Sequence, residues 1–171
     1  MGDPGADLTP QDLVEIERIS RVKHAYLRCL DQKDWGGLAE LLTEDATASY
    51  SGGNYTYEGR DAIVDFIKRN MGREEFHSSH RIHQPEIEID GETATATWAL
   101  EDTVLDTEWG ILLFGAAFYE DGFRIVDGRW RIAHTGYRRS FEAMVPTASV
   151  EGFQVTASWW ATDGRSTLPV Q

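Results

Sequence analysis

The spacing of apolar residues in the first part of the chain predicts a long amphipathic helix. Ile16, Ile19, Val22, Tyr26 and Leu30 recur at intervals of three or four, so they form one stripe on a helix surface. The preceding stretch "TPQD" is typical of a helix start. Its threonine suits the N-cap, its proline the first helical position and its aspartate the third.

Two shorter helices are predicted after this one. The stretch "DWGGLAELL" begins with Asp34, a suitable N-cap, and continues with buried leucines. Between about residues 60 and 71, Ile63 and Ile67 belong to a second repeat of helical spacing. Gly72 then provides the stop that commonly follows a helix.

The period changes from helical to extended after residue 76. The stretches "EIEIDGETATATWAL" and "FRIVDGRWRIAHTGYRRSF" each contain two alternating runs joined by Asp-Gly, which predicts hairpins with type I′ turns. Between them, "GILLFGAAFYED" predicts a buried strand whose small residues let another group approach closely.

These elements predict a single α+β domain over residues 10–145, with a cone-shaped, curved antiparallel sheet packed on three N-terminal helices. Residues 1–9 are rich in Gly, Pro and Asp and are expected to be disordered. Residues 146–171 contain "SWW" without a clear period. We expect them to form an extension that packs on the domain or on a neighbouring subunit.

Composition limits the classes of function. The 171 residues are 41% apolar and 11% aromatic, enough for one packed core and an apolar cavity for a small hydrophobic substrate. A formal net charge of −13 argues against binding to nucleic acid or to an anionic membrane surface. The chain has one cysteine, Cys29, no secretion signal and no bilayer-spanning stretch, so we expect a cytoplasmic protein without an internal disulfide.

Three histidines stand three residues apart in "FHSSHRIHQP". The segment leads into a predicted hairpin, and side chains alternate between the faces of a strand. His77 and His83 would therefore share one face, about 20 Å apart at about 3.3 Å per residue, while His80 would face the other side. This arrangement argues against a zinc site. A histidine that functions here would be a lone base, and a core or surface imidazole is the alternative.

Several segments together resemble a known family. They are "YLRCLDQKDWGGLAELL", "TASYSGG", "HRIHQPEIEI", "WALED", "GAAFYED" and "GYRRSFE". Over about residues 12–142 the chain resembles the nuclear-transport-factor-2-like superfamily. Within it, the chain is most similar to the SnoaL-like, polyketide-cyclase-like branch that contains scytalone dehydratase and bile acid 7α-dehydratase. The fold hosts many functions, so the site residues must carry any assignment.

The resemblance to the bile acid type implies a pocket with catalytic and substrate-binding groups. The implied catalytic residues are His80, Asp31, Tyr26 and Asp102. The implied substrate-binding residues are Arg139, Tyr50, His83 and Tyr119. Scytalone dehydratase agrees at His80 and Asp31, but its tyrosine beside the aspartate is replaced here by Leu30 and its second catalytic histidine has no evident match. The bile acid type is therefore the better guide.

Dehydration beside a carbonyl requires a base, donors for the forming enolate and an acid for the departing hydroxyl. No metal or cofactor is required. Histidine is suited to the base role near neutral pH, and Asp31 can orient His80 and stabilise its imidazolium. Tyr26 can donate to the enolate oxygen or to the leaving hydroxyl. Asp102 can act as a second acid–base group if it is buried away from cations.

Each of these residues also has a structural alternative. Tyr26 could be an ordinary core tyrosine, and Asp31 a solvated carboxylate between two helices. Asp102 follows an acidic residue, and one of such a pair commonly faces water. Arg139 follows another arginine, and at most one of the two need point inward. Ala116 and Ala117 could form a smooth wall for a flat polycyclic ligand, or could simply pack.

The leading hypothesis is a cofactor-independent lyase that removes water from a polycyclic steroid- or polyketide-like carbonyl compound. The first alternative is an isomerase of the ketosteroid type or a polyketide cyclase, because the same base and donors would serve it. The second is a small-molecule-binding protein without catalysis. The resemblance also implies a homo-oligomer, with a trimer favoured, and the abundance of aromatic residues on a long sheet supports this expectation.

Overall fold

Three helices and a six-stranded sheet make up the computed structural model, which describes residues 8–169. The helices are α1 Pro10–Gln32, α2 Trp35–Leu41 and α3 Arg60–Met71. The strands are β1 Leu42–Tyr50, β2 Tyr55–Glu58, β3 Phe76–Asp90, β4 Thr93–Asp106, β5 Ile111–Val126 and β6 Arg129–Pro146. This arrangement confirms the predicted α+β class and the three N-terminal helices.

Helix α1 begins as its sequence predicts. The Thr9 hydroxyl accepts from the Asp12 backbone N–H at 3.2 Å, and the Asp12 carboxylate accepts from the Thr9 N–H at 2.9 Å. These two bonds satisfy donors that a helix start leaves free. The helix ends where Lys33 adopts a left-handed conformation, with φ of 56°. Asp34 then caps α2 by accepting from the Gly37 N–H at 2.9 Å.

The sheet has the strand order β2-β1-β6-β5-β4-β3. Strands β3 to β6 form the predicted antiparallel meander. The turn between β5 and β6 has positive φ at both Asp127 and Gly128, as a type I′ turn requires. The first hairpin differs from the prediction, because Asp90 still pairs with Thr93 and only Gly91 in the loop has positive φ. That pattern is typical of a type II′ turn.

Two strands were not predicted from the sequence. Strand β1 pairs with β6 in parallel and with β2 antiparallel, so the sheet is mixed rather than wholly antiparallel. The alternation that marks β1 is short: Ala46, Ala48 and Tyr50 are buried, and the residues between them are less so. Leu42, assigned from its spacing to the second helix, begins this strand.

The core lies between the helices and one face of the sheet. Its fully buried members include Ile19 and Ile63 from the helices and Trp98 and Ile132 from the strands. The opposite face of the sheet exposes Phe114, Phe118 and Phe141. None of the helices within residues 8–169 is both long and apolar enough to cross a membrane.

The segment that follows the meander has little regular structure. After Pro146 the chain makes a short 3₁₀ turn, Thr147–Ser149, and continues without helix or strand. The Lys33 ammonium lies 4.5 Å from the centroid of the Trp160 ring, so this extension contacts the end of α1. Residues 1–9 were expected to be disordered. Of these, only residues 8 and 9 lie within the described residues.

Candidate active site

A cavity of about 300 Å³ lies between α1, α3 and the inner face of the sheet. Aromatic side chains dominate its wall: Tyr26, Tyr50, Tyr55, Phe66, Phe76, Tyr119 and Tyr137. The aliphatic lining consists of Leu30, Ile67, Met71, Leu100 and Val104, and the other polar groups are Asn70, His80, Asp102 and Arg139. This is the composition expected of a small-molecule site, with a mostly apolar wall and a few polar groups.

His80 and Asp31 form a hydrogen-bonded dyad at one end of this cavity. The His80 Nδ1 atom lies 2.7 Å from the Asp31 Oδ1 atom. The same carboxylate accepts from the His80 backbone N–H at 2.9 Å and from the Ser78 hydroxyl at 2.8 Å. Because Nδ1 is engaged, Nε2 is the ring nitrogen available to a ligand. The His80 side chain is 10% exposed and the Asp31 side chain is 23% exposed.

The hydroxyl groups of Tyr26 and Tyr50 meet at 3.2 Å within the same cavity. Both side chains are buried, and burial raises the pKa of each phenol above its ordinary value. The two hydroxyls therefore stay protonated and can donate hydrogen bonds to an oxygen atom of a ligand. Tyr119 is also buried, with its pKa raised for the same reason, and packs edge-to-face against Tyr137.

Asp102 and Arg139 form a bidentate ion pair on the cavity wall. The two guanidinium nitrogens Nη1 and Nη2 lie 2.5 and 2.8 Å from the two carboxylate oxygens. Asp102 was expected to act as an acid–base group only if it was buried away from cations. Because Arg139 binds both of its carboxylate oxygens, that condition is not met. Arg139 also approaches Glu142, with 3.1 Å between Nε and Oε2. The arginine points inward, as the resemblance implied.

Small residues of β5 let this arginine reach its partner. A Cβ atom on Gly115 would lie 2.7 Å from the Phe141 carbonyl oxygen and 3.2 Å from Arg139 Nη1. The close approach predicted for this strand is thus confirmed. The smooth wall of Ala116 and Ala117 is not found, since neither residue lines the cavity. Alternate residues of a strand face opposite sides, and Ala117 is buried in the core.

The other two histidines of the triplet lie outside the cavity. His83 is exposed and borders a shallow groove on the outside of the molecule, which we call the outer groove; Asp31 and His80 also border it. The strand is irregular just beyond His83, where Gln84 has φ of 47°. His77 is partly buried, which lowers its pKa. The substrate-binding role implied for His83 stays a prediction.

Lys23 and Asp121 were missed by the sequence reasoning. Both side chains are 0% exposed, and the Lys23 Nζ atom lies 2.8 Å from Asp121 Oδ2. A signal for Lys23 existed, because it follows Ile19 by four residues and so falls on the apolar stripe of α1. Asp121 follows an acidic residue in a strand of alternating burial, a position that the pattern alone does not distinguish from the surface.

The arrangement of the described residues offers a base, donors and an apolar chamber. Among residues 8–169, no group of His, Cys, Asp and Glu side chains is placed to hold a metal ion. The cavity groups are suited to proton transfer: an imidazole oriented by a carboxylate, with two tyrosine hydroxyls in the same cavity.

Solved structures with this fold include a protein from Novosphingobium aromaticivorans, provisionally assigned as a scytalone dehydratase. It is 24% identical, with a TM-score of 0.73 over 93% of this chain and 99% of that one. A protein of unknown function from Mycobacterium tuberculosis is 28% identical, with a TM-score of 0.67 over 79% and 78% of the two chains. A hexachlorocyclohexane dehydrochlorinase from Novosphingobium barchaimii is 17% identical, with a TM-score of 0.71 over 84% and 94%.

The sequence itself matches a family profile across most of the folded domain. Residues 11–136 match the SnoaL-like domain, a span that includes the dyad, the tyrosine pair and Asp102 but ends just before Arg139. Together with the three helices and the curved, open mixed sheet, this match shows that the chain belongs to the SnoaL-like family and has the nuclear-transport-factor-2-like fold.

Proposed function

We propose that the protein is a cofactor-independent lyase, a dehydratase that removes water from a polycyclic steroid- or polyketide-like carbonyl compound. The observation that carries the proposal is the His80–Asp31 pair, joined at 2.7 Å, whose histidine lines the mostly apolar cavity. Two proteins of the same fold are named for eliminations, one as a dehydratase and one as a dehydrochlorinase. Their names support the class of reaction.

The first step is the removal of a proton from the carbon beside the substrate carbonyl. The Nε2 atom of His80 takes this proton, and the electron pair of the C–H bond moves into an enolate. Asp31 fixes the tautomer that presents an unprotonated Nε2 and stabilises the imidazolium that results. The hydroxyls of Tyr26 and Tyr50 donate to the enolate oxygen, and their raised pKa values keep their protons in place.

The second step is the loss of the hydroxyl group from the neighbouring carbon. The enolate re-forms the carbonyl, its electron pair forms the new double bond, and the carbon–oxygen bond breaks. The imidazolium of His80 returns its proton to the departing hydroxyl, so the products are an enone and one water molecule. The base is thereby restored in a single turnover, and the reaction consumes no further reactant.

The Asp102–Arg139 pair has a binding role in this proposal. Since the carboxylate is held by two guanidinium nitrogens at 2.5 and 2.8 Å, it is not the proton carrier. We assign to the pair the orientation of a polar substituent at the far side of the substrate. The aromatic wall then holds a flat ring system by its faces.

The test is a panel of hydroxy-ketosteroids and hydroxylated bicyclic ketones incubated with the purified protein. New enone absorbance, with the mass loss of one water, supports the dehydratase. A product of unchanged mass would support the isomerase or cyclase alternative. A ligand-induced rise in melting temperature without any product would support the binding protein. His80→Ala should lower the rate of product formation by about 10²- to 10⁴-fold, a loss that a contaminating enzyme would not show.

A further inference from the structure

A charged pair is buried directly behind the tyrosine wall of the cavity. The Lys23 Nζ atom lies 3.0 and 2.8 Å from the two carboxylate oxygens of Asp121 and 3.5 Å from the Thr135 hydroxyl. Both charged side chains are fully buried, yet neither lines the cavity. The pair joins α1 to β5, and its hydroxyl neighbour belongs to β6.

The ammonium group contacts the faces of two cavity tyrosines. Its Nζ atom lies 3.4 Å from the centroid of the Tyr119 ring and 4.7 Å from that of the Tyr26 ring. A cation at this distance over an aromatic face is attracted to the ring, and more strongly where water is excluded. The two rings are therefore held from behind by a charge, while their other sides border the cavity.

Stability alone does not account for this ion pair. Burying two charges has a large desolvation cost, and a well-packed apolar replacement is often neutral or stabilising. Burial accordingly lowers the pKa of Lys23, and it raises the pKa of Asp121 against the opposing effect of the Lys23 charge. The buried pair is therefore weak evidence of a stabilising role, and the groups that its ammonium contacts are the rings of Tyr26 and Tyr119.

The charge of Asp121 also acts on the hydroxyl groups in front of it. Burial is the main cause of the raised pKa values of Tyr26, Tyr50 and Tyr119, and the negative charge of Asp121 raises each of them further. His134 on β6 is another titratable group near the pair, and its charge acts on Asp121. The pair thus fixes the rings in space and helps to keep their hydroxyls protonated.

We propose that Lys23 and Asp121 are positioning residues, which hold the rings of Tyr26 and Tyr119 so that the Tyr26 hydroxyl, beside that of Tyr50, donates to the ligand oxygen. This inference rests on the proposed function, in which that oxygen becomes an enolate. Lys23 acts through the rings and touches no ligand. Lys23 lies on α1, three residues before Tyr26 and eight before Asp31. Its ion pair with Asp121 on β5 therefore also fixes the helix that carries the dyad carboxylate against the sheet.

The test measures binding of two probes that differ in one hydroxyl group, 2-naphthol and naphthalene. The variant Lys23→Met with Asp121→Leu removes both charges and leaves no unpaired partner. We expect its affinity for 2-naphthol to fall by about fivefold, as the weakening of one hydrogen bond implies. Its affinity for naphthalene should stay within about twofold of the wild type, because the apolar wall remains.

A second variant covers the case in which the apolar pair does not fold. Lys23→Gln with Asp121→Asn keeps polar contact between the side chains and removes the charges, and the same selective loss is expected. The control is the exposed pair of Arg124 and Asp45, joined at 2.6 Å. Replacing these by Met and Leu should change neither affinity.

Equal losses for both probes in the folded variants would show that the buried pair only supports the wall and would overturn the inference. Unchanged affinities for both probes would overturn it as well. Neither measurement needs turnover. If the ketone panel gives no product while the selective loss of 2-naphthol binding is observed, the proposed reaction fails and the positioning role stands.

Discussion

His80 and Asp31 stand 49 residues apart in the chain, yet the imidazole Nδ1 and the carboxylate Oδ1 meet at 2.7 Å. The aspartate lies near the end of α1 and the histidine near the start of β3. The backbone N–H of His80 donates to the same carboxylate at 2.9 Å, so the strand as well as the ring is fixed to the helix. The geometry of the base therefore depends on both elements.

Removing either member of the dyad should affect turnover far more than folding. His80→Ala should lower kcat by about 10²- to 10⁴-fold, the range typical for a lost proton-transfer group. Asp31→Asn should lower it strongly while ligand affinity stays close to that of the wild type, since asparagine can hold the ring but does not stabilise the imidazolium. His77→Ala is the matched control, and its kcat should stay within a few-fold. An essential His77 with a dispensable His80 would contradict the mechanism.

The close approach at Gly115 can be tested with a single methyl group. In Gly115→Ala the new atom would lie 2.7 Å from the Phe141 carbonyl and 3.2 Å from Arg139, so β6 must shift and the arginine must give way. We expect a loss of about 1 to 3 kcal/mol in the free energy of unfolding and a raised KM. The control is Gly122→Ala, whose nearest neighbour lies at 3.4 Å. Equal effects at both glycines would contradict the inference that the close approach at Gly115 determines the cost of the substitution.

The Asp102–Arg139 pair should show strong coupling in a double-mutant cycle. Arg139→Met leaves a buried carboxylate without its partner, which should lower the free energy of unfolding by about 3 kcal/mol. Adding Asp102→Leu should recover a large part of that loss, because the uncompensated charge is gone. Urea denaturation of the two single variants and the double variant provides the measurement. Simple additivity of the single effects would show that the pair is not an energetic unit.

The buried tyrosines predict a loss of stability at alkaline pH. The pKa values of Tyr26, Tyr50 and Tyr119 are raised in the folded state, while an unfolded chain has the ordinary value of about 10. Above pH 10 the unfolded state therefore loses protons that the folded state retains, and stability falls as pH rises. Melting temperatures from pH 8 upward should show this fall. Tyr26→Phe should make the fall of melting temperature with pH shallower. An unchanged slope would contradict the attribution of this fall to the buried tyrosines.

The exposed aromatic residues on the outer face of the sheet support self-association. Phe118 and Phe141 are 51% and 55% exposed and lie on the adjacent strands β5 and β6. We expect a homo-oligomer, with a trimer favoured as the resemblance implies, whose interface covers this face. Light scattering should give a mass of about three chains of 19.3 kDa. Phe118→Glu with Phe141→Glu should dissociate it, and a monomeric wild type at micromolar concentration would contradict the expectation.

Local sequence signals were enough for most of the fold. The capping residues Thr9 and Asp34, the helical stripes and the two hairpins each depend on contacts within a few residues, and all appear in the structure, although the turn of the first hairpin is shifted by one residue to Gly91 and Glu92. Strand β1 was missed because its partner β6 lies about 90 residues further along and pairs in parallel. No local pattern specifies such a pairing.

The sequence predicted only part of the candidate site. The resemblance identified His80 and Tyr26, which line one cavity, and Asp31, which is hydrogen-bonded to His80. It did not reveal that Arg139 holds Asp102, nor that Lys23 and Asp121 meet inside the core. Ion pairs of this kind depend on which side chain of a strand or helix turns inward, and the sequence leaves both faces open for a charged residue.

The buried carboxylates of this protein are paired with cations, whereas most of its other acidic groups are not buried. The chain carries a net charge of −13, yet the carboxylates of Asp102 and Asp121 are each matched by a cation within 3 Å. The excess negative charge therefore belongs mainly to the outer surface, where it creates a field that repels anions before they reach the cavity. A neutral ligand crosses this field without electrostatic cost. For the uncharged ketones of the proposed function, we therefore expect the surface charge to exclude competing anions before the shape of the cavity selects among neutral molecules.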